Sequence, residues 1–192
     1  MIDLSSRRED ILRCTQSLVV SGGYHGFSYA DISEVVGIRN ASIHHHFPTK
    51  ASLVRELVSQ YRKKVKAGLA ELGRIPEPLK QLQAYAKYWE SCVTDGSLPI
   101  CVCALLATEM PVLPKEVADE VRGHFQDLST WITSVLQRGI KDKSILLDKP
   151  ATVEAEIFIA SVHGALLSAR AHGNAKLFGV ILHPVLGRLA KK

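Results

Sequence analysis

The chain has 192 residues, of which 46% are hydrophobic and 6% aromatic. This length suits one or two domains with a substantial core, and the dominance of Ala, Leu, Val and Ile favours packed helices over a β-sandwich. Residues 1–74 contain 11 Lys and Arg against 7 Asp and Glu, so they carry +4 of the formal net charge of +5. A positively charged N-terminal part is what binding to nucleic-acid phosphates requires.

Membrane, secreted and disulfide-rich classes are not expected from the sequence. No stretch approaches the ~20 uninterrupted apolar residues of a membrane span, and no apolar signal core follows the N-terminus, so we expect a cytoplasmic protein. Four cysteines are too few for a disulfide framework in a chain of this length, so reduced thiols are expected. We expect no cofactor and no bound metal.

The hydrophobic periodicity predicts an all-α fold. Nine helices are expected, at about 6–21, 28–36, 40–47, 50–72, 79–94, 100–110, 114–141, 150–171 and 174–189. The clearest linker is Gly73-Arg74-Ile75-Pro76-Glu77-Pro78, because its two prolines interrupt any continuous helix. We therefore predict a first domain at 1–49, a bridging helix at 50–72 and a second domain at 73–192.

The first domain contains the most informative pattern in the chain. Ser28-Tyr29-Ala30-Asp31 resembles a capping box and starts one short helix, which ends at the turn Gly37-Ile38-Arg39. Asn40, a good N-cap residue, starts a second short helix, and Phe47-Pro48 ends it. Two short helices joined by a glycine turn form a helix-turn-helix, and the second of them has the size that fits the major groove of DNA.

One face of this second helix is apolar and the other is polar. Ile43 and Phe47, four residues apart, are expected to pack against Ile32, Val35 and Val36 of the preceding helix. The polar side chains then point outward, as in a helix that reads DNA. A plain connecting helix is the alternative interpretation, but the turn, the cap, the polarity and the charge all agree with DNA binding.

The outward side chains suit both kinds of contact with a duplex. An amide such as that of Asn40 is able to pair bidentately with adenine, and Arg39 is expected to read guanine or to bind a phosphate. Hydroxyl, imidazole and ammonium groups suit phosphates, as does the N-terminus of a helix at Ser28. The predicted DNA-binding residues are Ser28, Arg39, Asn40, Ala41, Ser42, His44, His45, His46 and Lys50.

Three consecutive histidines also raise the possibility of a metal site. Consecutive residues of a helix do not face one another, and no Asp, Glu or Cys nearby completes a set of ligands. We therefore predict no metal at His44, His45 and His46.

The segment from Tyr29 to Lys50 resembles the DNA-binding signature of the TetR family of one-component transcriptional repressors. The order of helices and breaks is similar to that family over nearly the whole chain. The resemblance implies base or phosphate contacts at Arg39, Asn40, Ala41, Ser42, His44, His46 and Lys50. Arg39-Asn40 stands where many members have Ser-Lys, and His44 where Tyr is usual, so the operator sequence is not readable from the family pattern.

The same resemblance implies that the second domain binds a small-molecule effector that releases the DNA. In the family a cavity among the middle helices of this domain holds that molecule. Large apolar walls with few polar groups suit such a cavity. The expected lining residues are Tyr85, Trp89, Cys92, Cys103, Leu106, Glu109, Met110, Phe125, Leu128, Trp131 and His163.

The last two predicted helices are expected to form a homodimer. The helix at 150–171 is apolar around more than one face, so it needs cover on two sides. Pairing two such helices from each subunit makes a four-helix bundle, and its two-fold axis directs two helix-turn-helix units to a near-palindromic operator. The expected interface residues are Phe158, Val162, Ala165, Leu166, Phe178, Ile181, Leu182 and Val185.

Cys101 and Cys103 leave three interpretations open. They are buried apolar residues, a thiol sensor, or the active site of a helical thiol redox enzyme. The enzyme is the less favoured of these, since the spacing is one residue rather than two and the side chains diverge on a helix. A helix-turn-helix that serves as a protein adaptor is a further alternative. We predict a repressor rather than an enzyme.

Overall fold

The computed structural model describes residues 4–97 and 100–190. Within these ranges the chain forms nine α-helices, one 3₁₀ turn at Met110–Val112 and a single β-bridge between Ile145 and Ala190. The helices are α1 (Leu4–Gly22), α2 (Tyr29–Val36), α3 (Asn40–His46), α4 (Lys50–Leu72), α5 (Pro78–Asp95), α6 (Val102–Ala107), α7 (Lys115–Lys141), α8 (Ala151–Ala171) and α9 (Lys176–Leu189). The all-helical prediction is confirmed, although α6 is shorter than expected because the 3₁₀ turn follows it.

The first compact unit comprises Met1–Lys63 and Val102–His124. It contains α1, α2 and α3, most of α4, all of α6 and the start of α7. Its core includes Ile11, Ile32, Ile43 and Leu53, which are fully buried. An ion pair of 2.6 Å between Arg62 and Glu120 joins α4 to α7 within this unit.

The second compact unit comprises Lys64–Cys101 and Phe125–Lys192. Here α8 and α9 pack side by side, and α5 contacts both of them. Glu154 near the start of α8 accepts two hydrogen bonds, of 3.0 and 2.9 Å, from the Arg188 guanidinium near the end of α9. The two helices are therefore antiparallel.

The division into units differs from the boundary predicted at the linker. The prediction assigned all of 73–192 to one domain, whereas Val102–His124 clusters with the N-terminal residues. The reason is packing, because α6 contacts α1.

By length and composition alone, α8 is the one helix in the described residues that could cross a membrane. The buried core helix of a globular protein passes the same test, and α8 has α9 and α5 against it. Its Glu154 is buried and paired with Arg188. These contacts favour a core helix.

Candidate nucleic-acid interface

A tight glycine turn joins α2 to α3. Gly37 has φ 71°, a left-handed conformation that glycine adopts without steric cost. The Gly37 and Ile38 amides both donate hydrogen bonds to the Ser33 carbonyl, at 3.0 and 3.2 Å, and the Ser33 hydroxyl donates to the Ile38 carbonyl. The turn is thereby closed from both sides, which sets the angle at which α3 leaves α2.

The buried side of α3 is formed by Ile43 and Phe47, as predicted. Both are buried, and so is Ile32 of α2. Val35 departs from the prediction: its side chain is 69% exposed, so it does not contribute to this core. The Tyr29 hydroxyl donates a 2.8 Å hydrogen bond to the Phe47 carbonyl, which ties the start of α2 to the end of α3. Burial raises the pKa of Tyr29 to about 12, so its hydroxyl stays protonated.

The exposed side of α3 carries the polar residues. Arg39, Asn40, Ala41, His44 and His45 are exposed, whereas Ser42 and His46 are half-buried. Asn40 is the first residue of the helix and Arg39 is the N-cap, which corrects the prediction that Asn40 caps α3. An exposed amide at the first helical position is well placed to meet a base edge.

The three histidines have different surroundings. The His44 ring lies 4.7 Å from the Tyr29 ring, and its Nδ1 lies 3.3 Å from the Pro48 carbonyl oxygen. Burial lowers the pKa of His46, and His45, Arg8 and Arg7 lower it further. Among the residues that the structure describes, no group of three or more His, Cys, Asp and Glu side chains could hold a metal ion.

Lys50 is engaged inside the domain. Its ammonium group donates a hydrogen bond to the Phe27 carbonyl and lies 4.0 and 5.0 Å from the ring centres of Phe27 and Tyr24. Burial lowers its pKa, while the carboxylates of Asp31 and Glu109 oppose that shift. In this arrangement Lys50 joins the start of α4 to the loop before α2, so the predicted phosphate contact would compete with an internal one.

Ser28 also has an internal partner. Its backbone N–H and its hydroxyl both donate to the Asp31 carboxylate, at 2.6 and 2.7 Å. The capping box predicted from Ser28-Tyr29-Ala30-Asp31 is therefore present. The predicted phosphate contact at Ser28 would compete with this carboxylate.

Glu109 reaches the loop between α1 and α2. Its carboxylate accepts a 2.9 Å hydrogen bond from the Tyr24 backbone N–H. It also fills the space beside Gly23, where a Cβ atom would overlap Oε1. Glu109, in the segment after α6, therefore stabilises the loop between α1 and α2. The Tyr24 ring of this loop contacts the Lys50 ammonium group. Sequence patterns gave no signal for the contact between Glu109 and Tyr24, because the two residues are 85 positions apart.

Comparison with known families identifies the chain. Residues 11–57 match the model described as bacterial regulatory proteins, tetR family, and residues 78–183 match the model described as tetracyclin repressor-like, C-terminal domain. The chain belongs to the TetR family. It is accordingly a transcriptional regulator of a DNA-binding repressor family and is not an enzyme, which excludes the thiol redox alternative.

Individual TetR-family relatives agree with this assignment. The HTH-type transcriptional repressor KstR2 of Rhodococcus jostii is 32% identical over 158 residues, which cover 75% of this chain and 70% of the relative. A TetR-family regulator of Agrobacterium tumefaciens has a solved structure with 57% identity and a TM-score of 0.96, covering 98% and 100% of the two chains. A TetR regulator of Legionella pneumophila, 23% identical, shares the fold with a TM-score of 0.85 over 94% and 96% of the chains.

The predicted effector-pocket residues of this TetR-family chain are divided between the two compact units. Seven of them lie in the second unit: Tyr85, Trp89, Cys92 and Leu128 are buried, and Phe125, Trp131 and His163 are half-buried.

The other four lie in the first unit, where Cys103 and Leu106 are buried and Glu109 and Met110 are half-buried. Glu109 holds Tyr24 as described, so its carboxylate has a role that the pocket prediction did not foresee.

Most of the predicted dimer residues lie in the core of the chain itself. Only Ile181 and Val185 are half-buried, whereas the other six are buried within one chain and are not available to a second copy. The six predicted interface residues that are buried in this way are Phe158, Val162, Ala165, Leu166, Phe178 and Leu182. The physical reason is that α9 and α5 already cover these sides of α8.

The exposed side of α8 has its own pattern. Val153, Ile157, Ala160, Gly164, Leu167 and Ala171 follow one another at spacings of four and three residues, and all are exposed except Ile157, which is half-buried. On α9, Val180 and Pro184 are exposed beside the half-buried Leu177 and Ile181. We call these ten residues the α8–α9 stripe.

Cys101 and Cys103 are both fully buried. A thiol in such a position reacts slowly with oxidants or electrophiles, because reactive cysteines need exposure and a positive environment. Their burial favours the interpretation that they are apolar core residues.

Proposed function

We propose that this chain is a homodimeric, cytoplasmic repressor that binds a near-palindromic operator and leaves it when a small molecule binds the second unit. The proposal rests on the two sides of α3: its polar side chains are largely exposed, whereas Ile43 and Phe47 on the opposite side are buried. In this proposal residues 1–49 read DNA and residues 73–192 bind the effector and form the dimer. Helix α4 connects these two parts of the chain.

Within α3 the proposed base-reading residues are Arg39 and Asn40. Both are exposed at the N-terminal end of the helix, which is the end that meets base edges in helix-turn-helix proteins. Ser42, His44 and His45 are proposed to bind phosphates and hold the helix in register. Lys50 is proposed to act indirectly, by fixing the loop before α2.

Selection of bound duplexes from a random pool tests this assignment. Wild-type protein is expected to enrich a near-symmetric site, and Asn40→Ala is expected to change the preferred base at one position per half-site, with a discrimination of roughly 1–3 kcal/mol. Absence of any enriched symmetric site would contradict the repressor proposal, and an unchanged preference in Asn40→Ala would contradict the role of Asn40.

A second variant separates the two possible roles of Lys50. Lys50→Ala is expected to lower the unfolding temperature in the absence of DNA, because it removes a hydrogen bond and two cation–π contacts. If its stability is unchanged while its affinity for all duplexes falls alike, a direct phosphate contact is the better explanation.

The α8–α9 stripe supports the homodimer. Its alternating spacing of four and three residues is the pattern with which helices pair side by side, and Ala160 and Gly164 in its middle permit close approach. Two antiparallel helices from each subunit then form a four-helix bundle. Leu167, whose side chain is 59% exposed in the single chain, would be covered by this association.

Leu167→Glu tests the interface. The buried carboxylate would have to lose its hydration, at a cost of roughly several kcal/mol, so the variant is expected to be monomeric and to bind the operator weakly. Leu146→Glu is the matched control, because Leu146 is 65% exposed but lies outside the stripe. Light scattering that finds both variants dimeric would refute this interface.

Effector binding is proposed for the aromatic cluster of the second unit. Tyr85 lies 5.8 Å from Trp131 and 6.3 Å from Phe158, and Phe125 lies 5.2 Å from His163, measured between ring centres. Such aromatic walls are typical of small-molecule sites. Release of DNA then requires that the effector bind the conformation with low DNA affinity more tightly than the other.

A further inference from the structure

We infer that Trp89 and His163 anchor the effector, and that the effector is an uncharged, mostly apolar molecule with an oxygen that accepts a hydrogen bond. This inference rests on the proposed function, since it concerns the effector site of the second unit. It adds the chemical class of the molecule and the two side chains that recognise it.

The starting observation is a pair of buried polar atoms. Trp89 Nε1 and His163 Nε2 are both shielded from solvent and have no hydrogen-bond partner among the residues that the structure describes. Burial raises the pKa of Tyr85 and an interaction with the Trp89 side chain lowers it, but this contact does not have the geometry of a normal hydrogen bond. Buried donors and acceptors in native proteins are nearly always paired, so each such atom requires an explanation.

The contacts with α7 show that α5 and α8 run in the same direction. Gln81 and Tyr85 of α5 meet Arg138 and Trp131 of α7, so these two helices are antiparallel. Ser129 of α7 bonds Glu156 of α8, and Phe125 of α7 meets His163 of α8, so this pair is antiparallel too. Two helices that are each antiparallel to α7 are parallel to one another.

This direction brings Trp89 and His163 to the same level. Tyr85 of α5 and Phe158 of α8 are in ring contact. Trp89 lies four residues beyond Tyr85, about 6 Å along α5, and His163 lies five residues beyond Phe158, about 7.5 Å along α8. The two side chains therefore lie at a similar level along α5 and α8, and the His163 ring contacts Phe125.

The burial of the cluster is graded. Tyr85, Trp89 and Phe158 are buried, whereas Phe125, Trp131 and His163 are half-buried. The half-buried set therefore has more contact with solvent than the buried set. In the inferred site the effector enters from the side of the half-buried set, so that it meets His163 before Trp89.

The donor set determines the chemistry of the molecule. An indole N–H only donates, so its partner must be an acceptor, and imidazole Nε2 either donates or accepts according to its tautomer. The surrounding rings offer apolar contact. A ketone, ester or hydroxyl oxygen on a ring or chain body satisfies both atoms and matches these walls.

Titration of the full-length protein with Prodan, a neutral naphthyl ketone, tests the inference. Its emission moves to longer wavelength when its carbonyl accepts a hydrogen bond. Wild type is expected to bind it with that shift, and Trp89→Phe and His163→Phe are each expected to lower its affinity roughly fivefold to tenfold. Trp131→Phe is the matched control, because it changes a ring of the same cluster whose nitrogen is not one of the orphaned atoms.

A second probe, the same naphthalene without its ketone, separates hydrogen bonding from packing. Wild type is expected to bind it roughly tenfold more weakly than Prodan, a comparison that holds even if the variants fail to fold. Equal affinity for the two probes, or equal loss in Trp89→Phe and Trp131→Phe, overturns the inference. A gel shift on the selected operator, run without Prodan, reports separately on the proposed function, since the unliganded protein is the form proposed to bind DNA.

Discussion

Replacing Gly23 by Ala perturbs the contact between Glu109 and the loop after α1. Gly23 has φ 73°, and the new methyl group would overlap the Glu109 carboxylate that accepts the Tyr24 hydrogen bond. The left-handed backbone costs an L-residue about 1–2 kcal/mol. Losing a hydrogen bond to a charged group costs a further ~1.5–3 kcal/mol, so the expected destabilisation is about 2.5–5 kcal/mol.

Gly96→Ala is the matched control for this substitution. Gly96 ends α5 with φ 72°, and no neighbouring atom lies within 4 Å of the position its Cβ would take. This variant carries the backbone cost alone, about 1–2 kcal/mol. Chemical denaturation followed by circular dichroism, at one fixed protein concentration, measures both variants.

A Glu109→Ala background isolates the contribution of Glu109. If Gly23→Ala acts through Glu109, the substitution should cost only the backbone term of about 1–2 kcal/mol in a Glu109→Ala background. The operator affinity of Gly23→Ala should also fall, since the Tyr24 ring lies under Lys50. Equal costs for Gly23→Ala and Gly96→Ala would refute the support that Glu109 is argued to provide.

Three further outcomes are expected. Arg188→Ala should destabilise the protein by about 2–3 kcal/mol in a denaturation experiment, because it leaves the Glu154 carboxylate, 1% exposed, without its ion-pair partner. The expected loss is smaller than for a fully buried ion pair, because the Arg188 side chain is 40% exposed. Operator affinity should rise as the pH falls below about 6.5, because burial lowers the pKa of His46 from that value and a nearby phosphate would favour its protonated form. An equally steep pH profile in His46→Gln would assign the effect elsewhere. The Cys101→Ser, Cys103→Ser double variant should lose stability yet keep operator binding in a gel shift, whereas peroxide that releases wild type but not the variant would make these thiols a sensor.

The helices and the helix-turn-helix were predictable because local chemistry determines them. Gly37 supplies the left-handed turn, Asp31 completes the cap of α2, and Pro48 lies just after the end of α3. Each signal acts over a few residues. The outward direction of Arg39 and Asn40 followed from the burial of Ile43, which a helical period reveals.

The interface residues of α8 were not predictable in the same way. An apolar side chain predicts that the residue is buried, but it does not show whether α9 of the same chain or a second copy of the protein buries it. Phe158 and Leu166 belong to the first case. The internal contacts of Lys50 and Glu109 were not predicted for a related reason. Their partners in the loop after α1 are brought close by the tertiary fold and not by local sequence.

The capping box of α2 gives Asp31 the position of an internal phosphate mimic. Its carboxylate, whose pKa is lowered chiefly by the Ser28 hydroxyl, is ionised at the positive end of the helix dipole. A phosphate that approached the start of α2 would meet the negative charge of Asp31, whereas α3 carries no carboxylate. If α3 reads DNA as proposed, Asp31 would therefore disfavour any docking mode in which the start of α2 lies against the DNA backbone.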